Sequence, residues 1–246
     1  MPVGKVLVLA DVHSNLRALR AVLDDAASRG GFDGIWLLGD SVGYGPEPNE
    51  CIDLLRQHPL TAVAGNHDFG VLESSVLTRF NAQAAEACRL NAQLLSESSR
   101  LFLRGLLQTQ CMPPFFLVHG SPRDPLWEYV VDAARATLSS ASCPQEYCLV
   151  GHTHCPAYFH GAPDAAGSHQ RPVEDDAVVL EARAVINPGS VGQPRDGDPR
   201  ASYLLLDLSR RVATFHRVPY DVEGTIDAMR RVGLPEPLAR RLHAGY

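Results

Sequence analysis

Five short apolar runs, each ending on a residue type able to bind a metal ion, constrain this chain more than any other feature. Lys5-Val-Leu-Val-Leu-Ala10 ends on Asp11-Val-His13, Gly34-Ile-Trp-Leu-Leu-Gly39 on Asp40, and Thr61-Ala-Val-Ala-Gly65 on Asn66-His67-Asp68. Phe115-Phe-Leu-Val118 ends on His119-Gly120, and Cys148-Leu-Val-Gly151 on His152-Thr-His154. Runs of this length bounded by Gly and Pro suit strands buried on both faces. In sheets of such strands, ligands bind in the crevice outside the carboxyl ends. The two-residue repeat of a strand then turns Asp11 and His13 to one side, and likewise His152 and His154. Asp11, His13, Asp40, Asn66, His119, His152 and His154 together offer seven oxygen and nitrogen donors at one rim, enough to hold two cations.

The segments between these runs fit one α/β domain spanning 1–246, a length that supports a sizeable core. Leu16, Leu19, Val22, Leu23 and Ala26 recur at helical spacing, and Gly30-Gly31 stops the helix. After Asp40 a tight Gly- and Pro-containing loop leads to Asn49, read as the N-cap of a helix running to about His58. Residues 69–110 break the alternation. Ala84, Ala87, Cys88, Leu94, Leu95, Leu101, Phe102, Leu106 and Leu107 fit two helices, a helical insertion packed beside or over the rim. Beyond His154, apolar stretches at 157–160, 177–186, 202–208 and 211–218 read as meander strands of a second sheet, with a polar loop over 161–176. From about Val222 the chain returns to helix, interrupted by Pro235-Glu-Pro237. Two sheets packed face to face with helices outside is the expected architecture.

A formal charge of −6 argues against an extended nucleic-acid surface. No stretch approaches the length of a membrane span, and the first apolar run is too short for a signal peptide. Six cysteines without Cys-x-x-Cys spacing are read as reduced, which places the protein in the cytoplasm. Cys155 follows His154 directly, but a carboxylate and imidazole site does not require a thiolate, so it is read as a small residue opening the next strand.

In this order, Asp-x-His, Gly-Asp, Gly-Asn-His-Asp, Val-His-Gly and Gly-His-Thr-His resemble the motifs of the calcineurin-like metallophosphoesterase superfamily. Asn187-Pro-Gly-Ser-Val-Gly192 is similar to endings in its prokaryotic phosphodiesterase and diadenosine-tetraphosphatase-like branch. The resemblance implies a four-layer α-β-β-α sandwich of two packed mixed sheets. It also implies a dinuclear centre in which Asp11, His13 and His154 hold one metal, Asn66, His119 and His152 hold the other, and Asp40 bridges. Two divalent cations about 3.5–4 Å apart repel, which independently calls for a shared carboxylate. Mixed oxygen and nitrogen ligation suits Mn, Fe, Zn, Ni or Co better than Mg or Ca.

The implied reaction is in-line attack on phosphorus by a hydroxide bridging the two metals. His67 is in family terms the residue that protonates the leaving oxygen, and Asp68 is expected to orient its imidazole and favour the charged form. A single histidine at the end of an apolar run is ordinarily structural, and that reading stands for His58, His160, His169, His216 and His243. Asn15 and Arg195 are taken as candidate substrate contacts, against the competing readings of a helix cap and a solvated turn. Protein phosphatases of the superfamily carry arginines beside the second and third motifs, where this chain has Gly39-Asp-Ser-Val-Gly-Tyr-Gly45 and Ala64-Gly-Asn-His-Asp68. The expectation is therefore a phosphodiesterase acting on a small or nucleotide-derived phosphoester. A protein-phosphatase-like or dinucleoside-polyphosphate hydrolase is the alternative, and a metal-binding scaffold of the same fold is the non-enzymatic one. Oligomeric state is not legible.

Overall fold

The unbroken apolar character of each run has a direct structural cause: both faces of its strand are covered. The computed structural model describes residues 4–160 and 168–246. Strands β1 (Lys5–Leu9), β2 (Gly34–Leu38) and β3 (Leu60–Val63) pair in parallel, with helices α1 (Leu16–Ser28) and α2 (Pro48–Leu55) as crossovers. Val6, Val8, Trp36 and Leu38 face the second sheet, while Leu7, Leu9, Ile35 and Leu37 pack beneath Leu19, Val22, Cys51 and Leu55 of the two helices. Asn66–Gly70 forms a short helix, α3.

The 69–110 region contains a 3-10 turn at Ser74–Arg79 and then the two expected helices, α4 (Ala82–Leu94) and α5 (Glu97–Arg104). Ala84 and Ala87 of α4 pack on Tyr44, and Ala85 and Cys88 pack near Val42 and Ile52, so the insertion buttresses the loop after Asp40. The helical reading ends too late, because Thr109–Met112 is strand β4, antiparallel to β5 (Phe115–Val118). Helix α6 (Ala133–Ser142) and strand β6 (Tyr147–Leu149) follow, and Ala136 of α6 covers Phe116, Val118 and Cys148 on the outer face of the second sheet.

Asn49 is not an N-cap. Pro48 opens α2 after Glu47, and the Asn49 amide instead donates to the Leu94 carbonyl and accepts from Ser96 N, pinning the α4–α5 turn.

The strands after His154 do not make a sheet of their own. β7 (Pro156–His160), β8 (Ser168–Gln170) and β10 (Val185–Pro188) extend the second sheet in the order β4-β5-β6-β10-β7-β8. β9 (Ala177–Val179), β11 (Ala201–Asp207) and β12 (Val212–Val218) complete the first, in the order β3-β2-β1-β11-β12-β9. The apolar stretch 177–186 is thus divided between the two sheets, and Arg183 turns at positive φ between its two strands. Residues 161–167 of the polar loop expected at 161–176 lie outside the described residues, and Ser168–Gln170 within it is strand β8 rather than loop. The C-terminal α7 (Val222–Arg231) and α8 (Glu236–Ala244) break at the expected prolines, and Ile226, Met229, Leu238 and Leu242 pack around Tyr44. Both sheets are mixed, with helices on their outer faces, as the α-β-β-α expectation requires.

Candidate active site

Apart from His119, which directly follows β5, the donor residues sit two or more residues past their strands, and strand alternation is not what converges them. β1 ends at Leu9 and β2 at Leu38. Asp11, His13, Asp40, His152 and His154 then adopt φ of 55°, 48°, 54°, 66° and 60°. Left-handed backbone at non-glycine residues is unfavourable and persists where surrounding contacts over-determine it, typically at functional sites. Here the loops are laced together: Asp11 N donates to Gly39 O, His13 N to Asp40 O, and Ser14 N to Ser41 O.

Two groups of donors result. His154 Nε2 lies 3.4 Å from Asp11 Oδ1 and 3.3 Å from His13 Nε2. His119 Nε2 lies 3.1 Å from Asn66 Oδ1 and 3.0 Å from His152 Nδ1. Asp40 Oδ2 stands between them, 3.6 Å from His13 Nε2 and 3.4 Å from His119 Nε2. His13, His119 and His154 each direct Nδ1 at a backbone carbonyl, of Val42, Leu38 and Gln193 respectively. Donating Nδ1–H there fixes the tautomer and leaves the Nε2 lone pair aimed inward, the usual outer-shell device of a metal-binding histidine.

Asp11 Oδ1 and Asp40 Oδ2 are buried without a hydrogen-bond partner. Orphaned acceptors in a dry site are costly unless a cation satisfies them. The donor set therefore fits divalent metal ions.

Titration behaviour agrees. Burial holds His13, His152 and His154 well below the usual imidazole range, so their lone pairs are free. Burial lifts Asp11 to about 7 against the pull of His119. His119, despite burial, is raised to about 9 by Asp40, and Asp40 is lowered by His119 and His67 against its own burial. Positive charge is drawn to the point between the two groups.

His67 lies beside this centre in an aromatic box, with ring centroids 4.8 Å from His13, 4.4 Å from Tyr44 and 4.9 Å from Phe80. Asp68 does not orient it. The Asp68 carboxylate accepts from Asp40 N, Ser41 N, Val42 N, Gly65 N and Ser41 Oγ at 2.6–3.3 Å. Consecutive helical residues do not face each other, so adjacency in α3 sends Asp68 to the loops and His67 to the site. The group at His67 Nδ1 is the thiol of Cys88, 3.3 Å away on α4. Nor does His67 favour the charged form, because burial lowers it to about 4. Nothing local in the sequence marks Cys88 for this position.

Asn15 is not a substrate contact. It caps α1 through Ala18 N, donates to Gly192 O and accepts from Thr225 Oγ1, which occupies its amide inside the protein. Arg195 does reach the site. It lines a cavity of about 220 Å³ with Asp40, Asn66, His67, His152 and His154. Its Nη2 donates to Tyr44 Oη and Gln193 Oε1, and its buried Nε has no partner. Cys155 Sγ bonds to the Arg195 carbonyl rather than the metal cluster. His58 lies tilted against Phe32, and His160, His216 and His243 pair with Glu181, Asp175 and Glu223. The His169 side chain lies outside the described residues. Sequence reasoning missed Tyr44, Arg79, Phe80, Trp127 and Tyr129, which with Asn81 and Ala84 form the remaining walls of the cavity. One available signal was Trp127, one of only two tryptophans and placed in a polar loop soon after His119.

The profile of the calcineurin-like phosphoesterase superfamily domain matches residues 5–211. The chain belongs to the calcineurin-like phosphoesterase superfamily. A metallophosphoesterase from Sphaerobacter thermophilus, known by crystal structure, is 40% identical, covers 100% of both chains and superposes with a TM-score of 0.89. An uncharacterized protein of Methanocaldococcus jannaschii is 34% identical over 245 residues, 98% of each chain. A symmetrical bis(5'-nucleosyl)-tetraphosphatase of Ectopseudomonas mendocina is 36% identical over 69 residues, 27% of this chain and 25% of that enzyme. This calcineurin-like phosphoesterase is thus a phosphoester hydrolase of a family that uses divalent metal ions, with clustered His and Asp residues able to hold them. No described helix is long and apolar enough to cross a membrane.

Proposed function

We propose that this calcineurin-like phosphoesterase is a dinuclear phosphodiesterase acting on a small or nucleotide-derived ester. The observation that carries the reading is Asp40 Oδ2, buried, unpartnered and within 3.6 Å of donors from both groups. Asp11, His13 and His154 would hold one cation and Asn66, His119 and His152 the other, with Asp40 shared and Mn, Fe, Zn, Ni or Co as the suitable ions. Such a pair supplies charge neutralisation at the phosphoryl group and a water acidified toward neutral pH.

The protein's own residues do the rest. Carbonyl acceptors behind His13, His119 and His154 lock the imidazoles, and Asp68 locks the loops that carry Asp40 and Asn66. His67 lines the cavity, neutral at rest because it is buried, and passes a proton to the leaving oxygen once the phosphoester's negative charge raises its affinity for one; Cys88 sits at its Nδ1. Arg195 pairs its free N–H with a non-bridging phosphoryl oxygen. The flanks of Asp40 and Asn66 carry Tyr44 and Ala64 and no arginine, which suits the single negative charge of a diester better than a monoester dianion. Six free cysteines, most of them buried, support a reducing, cytoplasmic setting.

The test is hydrolysis of bis-p-nitrophenyl phosphate beside p-nitrophenyl phosphate after loading with Mn²⁺, Ni²⁺, Zn²⁺ or Mg²⁺. Faster diester cleavage that vanishes in Asp40→Asn is the expected result, and a monoester preference rejects the reading. The 69-residue match to the symmetrical tetraphosphatase favours a second reading, hydrolysis of dinucleoside polyphosphates. ADP release from diadenosine tetraphosphate outpacing diester cleavage would establish it.

A further inference from the structure

We propose that Arg79, Phe80 and Trp127 form a subsite for a nucleobase carried on one ester arm, so that nucleoside phosphoesters are selected over alkyl ones. The inference rests on the phosphodiesterase reading and assigns its substrate class. Phe80 links the site to the subsite: its ring lies 4.9 Å from His67 and 5.3 Å from Trp127, edge-on to both. Apolar aromatic surface therefore runs without interruption from the residue beside the metal donors to the indole at the far wall. These residues come from two segments, the turn before α4 and the loop between β5 and α6, and Trp127 belongs to none of the buried core clusters.

Arg79 lies 4.0 Å above the Trp127 ring and forms no ion pair among the described residues. A guanidinium held by an indole, with no carboxylate partner, presents a flat cationic platform. Bases stack on both aromatic rings and guanidinium planes. Arg195 likewise lacks an acidic partner among the described residues, so two guanidiniums face one cavity whose donor-rich floor is reserved for cations. A ligand that is anionic at one end and planar at the other satisfies both. At about 220 Å³ the cavity is smaller than the roughly 300–1,000 Å³ of pockets that enclose drug-sized ligands. It has room for one ring with its phosphoryl group and leaves any second arm outside.

The chain has two tryptophans, and Trp36 is buried in the core, so fluorescence changes on ligand addition report Trp127. The full-length protein with Mn²⁺ is titrated with adenosine 5'-monophosphate and with ribose 5-phosphate, which share the phosphate and sugar. Base–aromatic stacking predicts adenosine 5'-monophosphate to bind about 5- to 150-fold tighter, with quenching. Arg79→Ala, at an exposed position, reduces that preference several-fold by the same titration. Trp127→Ala brings it to within about twofold by calorimetry, and Trp127→Phe restores most of it. Equal affinities in the native protein, or a preference that survives both Arg79→Ala and Trp127→Ala, overturn the subsite. Selective binding in a protein that cleaves no diester would instead reject the phosphodiesterase reading and leave the subsite standing.

Discussion

Replacing Asp68 by Ala separates two roles for the same residue. If its carboxylate served only to orient His67, the variant would fold normally, bind metal and lose turnover. The structure gives it another task. It accepts from the backbone N–H groups of Asp40, Ser41, Val42 and Gly65, and from the Ser41 hydroxyl, all within a buried loop junction. Removing the carboxylate strands four buried N–H donors, each costing about 1–3 kcal/mol when left unsatisfied. Water entering the vacated space recovers part of that sum, which leaves a loss of about 3–5 kcal/mol. For a chain of this size about 1 kcal/mol corresponds to roughly 2–4 °C, so Tm should fall by about 6–20 °C. Asp68→Asn should recover only part of this, because its amide nitrogen meets N–H donors where a carboxylate oxygen accepted them. Thermal denaturation by circular dichroism, with metal content measured on the same samples, is the assay. A Tm within about 2 °C of the native protein and full metal occupancy would refute the reasoning.

Four further outcomes follow from particular contacts. His67→Ala should keep its metal by elemental analysis while losing about 10²–10⁴-fold in turnover, and unchanged turnover would remove it from the mechanism. Gly43→Ala should impair turnover almost as much, because a Cβ there meets His67 Nδ1 at 2.3 Å and the backbone φ of +91° disfavours any side chain; native kinetics in that variant would show that the His67 position is unimportant. Metal at about 100 times its Kd should raise Tm by about 5–11 °C over chelator-treated protein, and Asp40→Asn should cut the increment, as measured by scanning calorimetry. Arg230 and Arg240 hold the Glu236 carboxyl down to about 2 from an ordinary 4.5. The pair therefore stabilises fully above pH 4.5 and less as pH falls towards 2. A small Tm deficit in Glu236→Gln at pH 7 should accordingly shrink over that window.

The candidate metal donors were legible because a strand end is a local event: an apolar run stops and the residues that follow lie at the rim. The left-handed turns that aim Asp11, His13, Asp40, His152 and His154 were not, since the backbone of every one of those residues is bonded to another loop. Helix α1 was readable from its spacing, and Asn49 was misread because Pro48 opens α2 ahead of it. The strands after His154 looked alike in sequence, and only pairing across the fold sent β11 and β12 to β1 and β10 to β6.

By itself the sequence determined the ordered set of candidate donors, the α/β class and the absence of arginines beside the second and third motifs, all carried by residue type and short-range spacing. Tertiary structure decided which neighbours touch. It gave Asp68 to the loops, Cys88 to His67 and Asn15 to a helix cap, and it brought residues 79–80 and 127–129 together as the cleft. Contacts between positions tens of residues apart depend on how layers pack, and no local pattern encodes that.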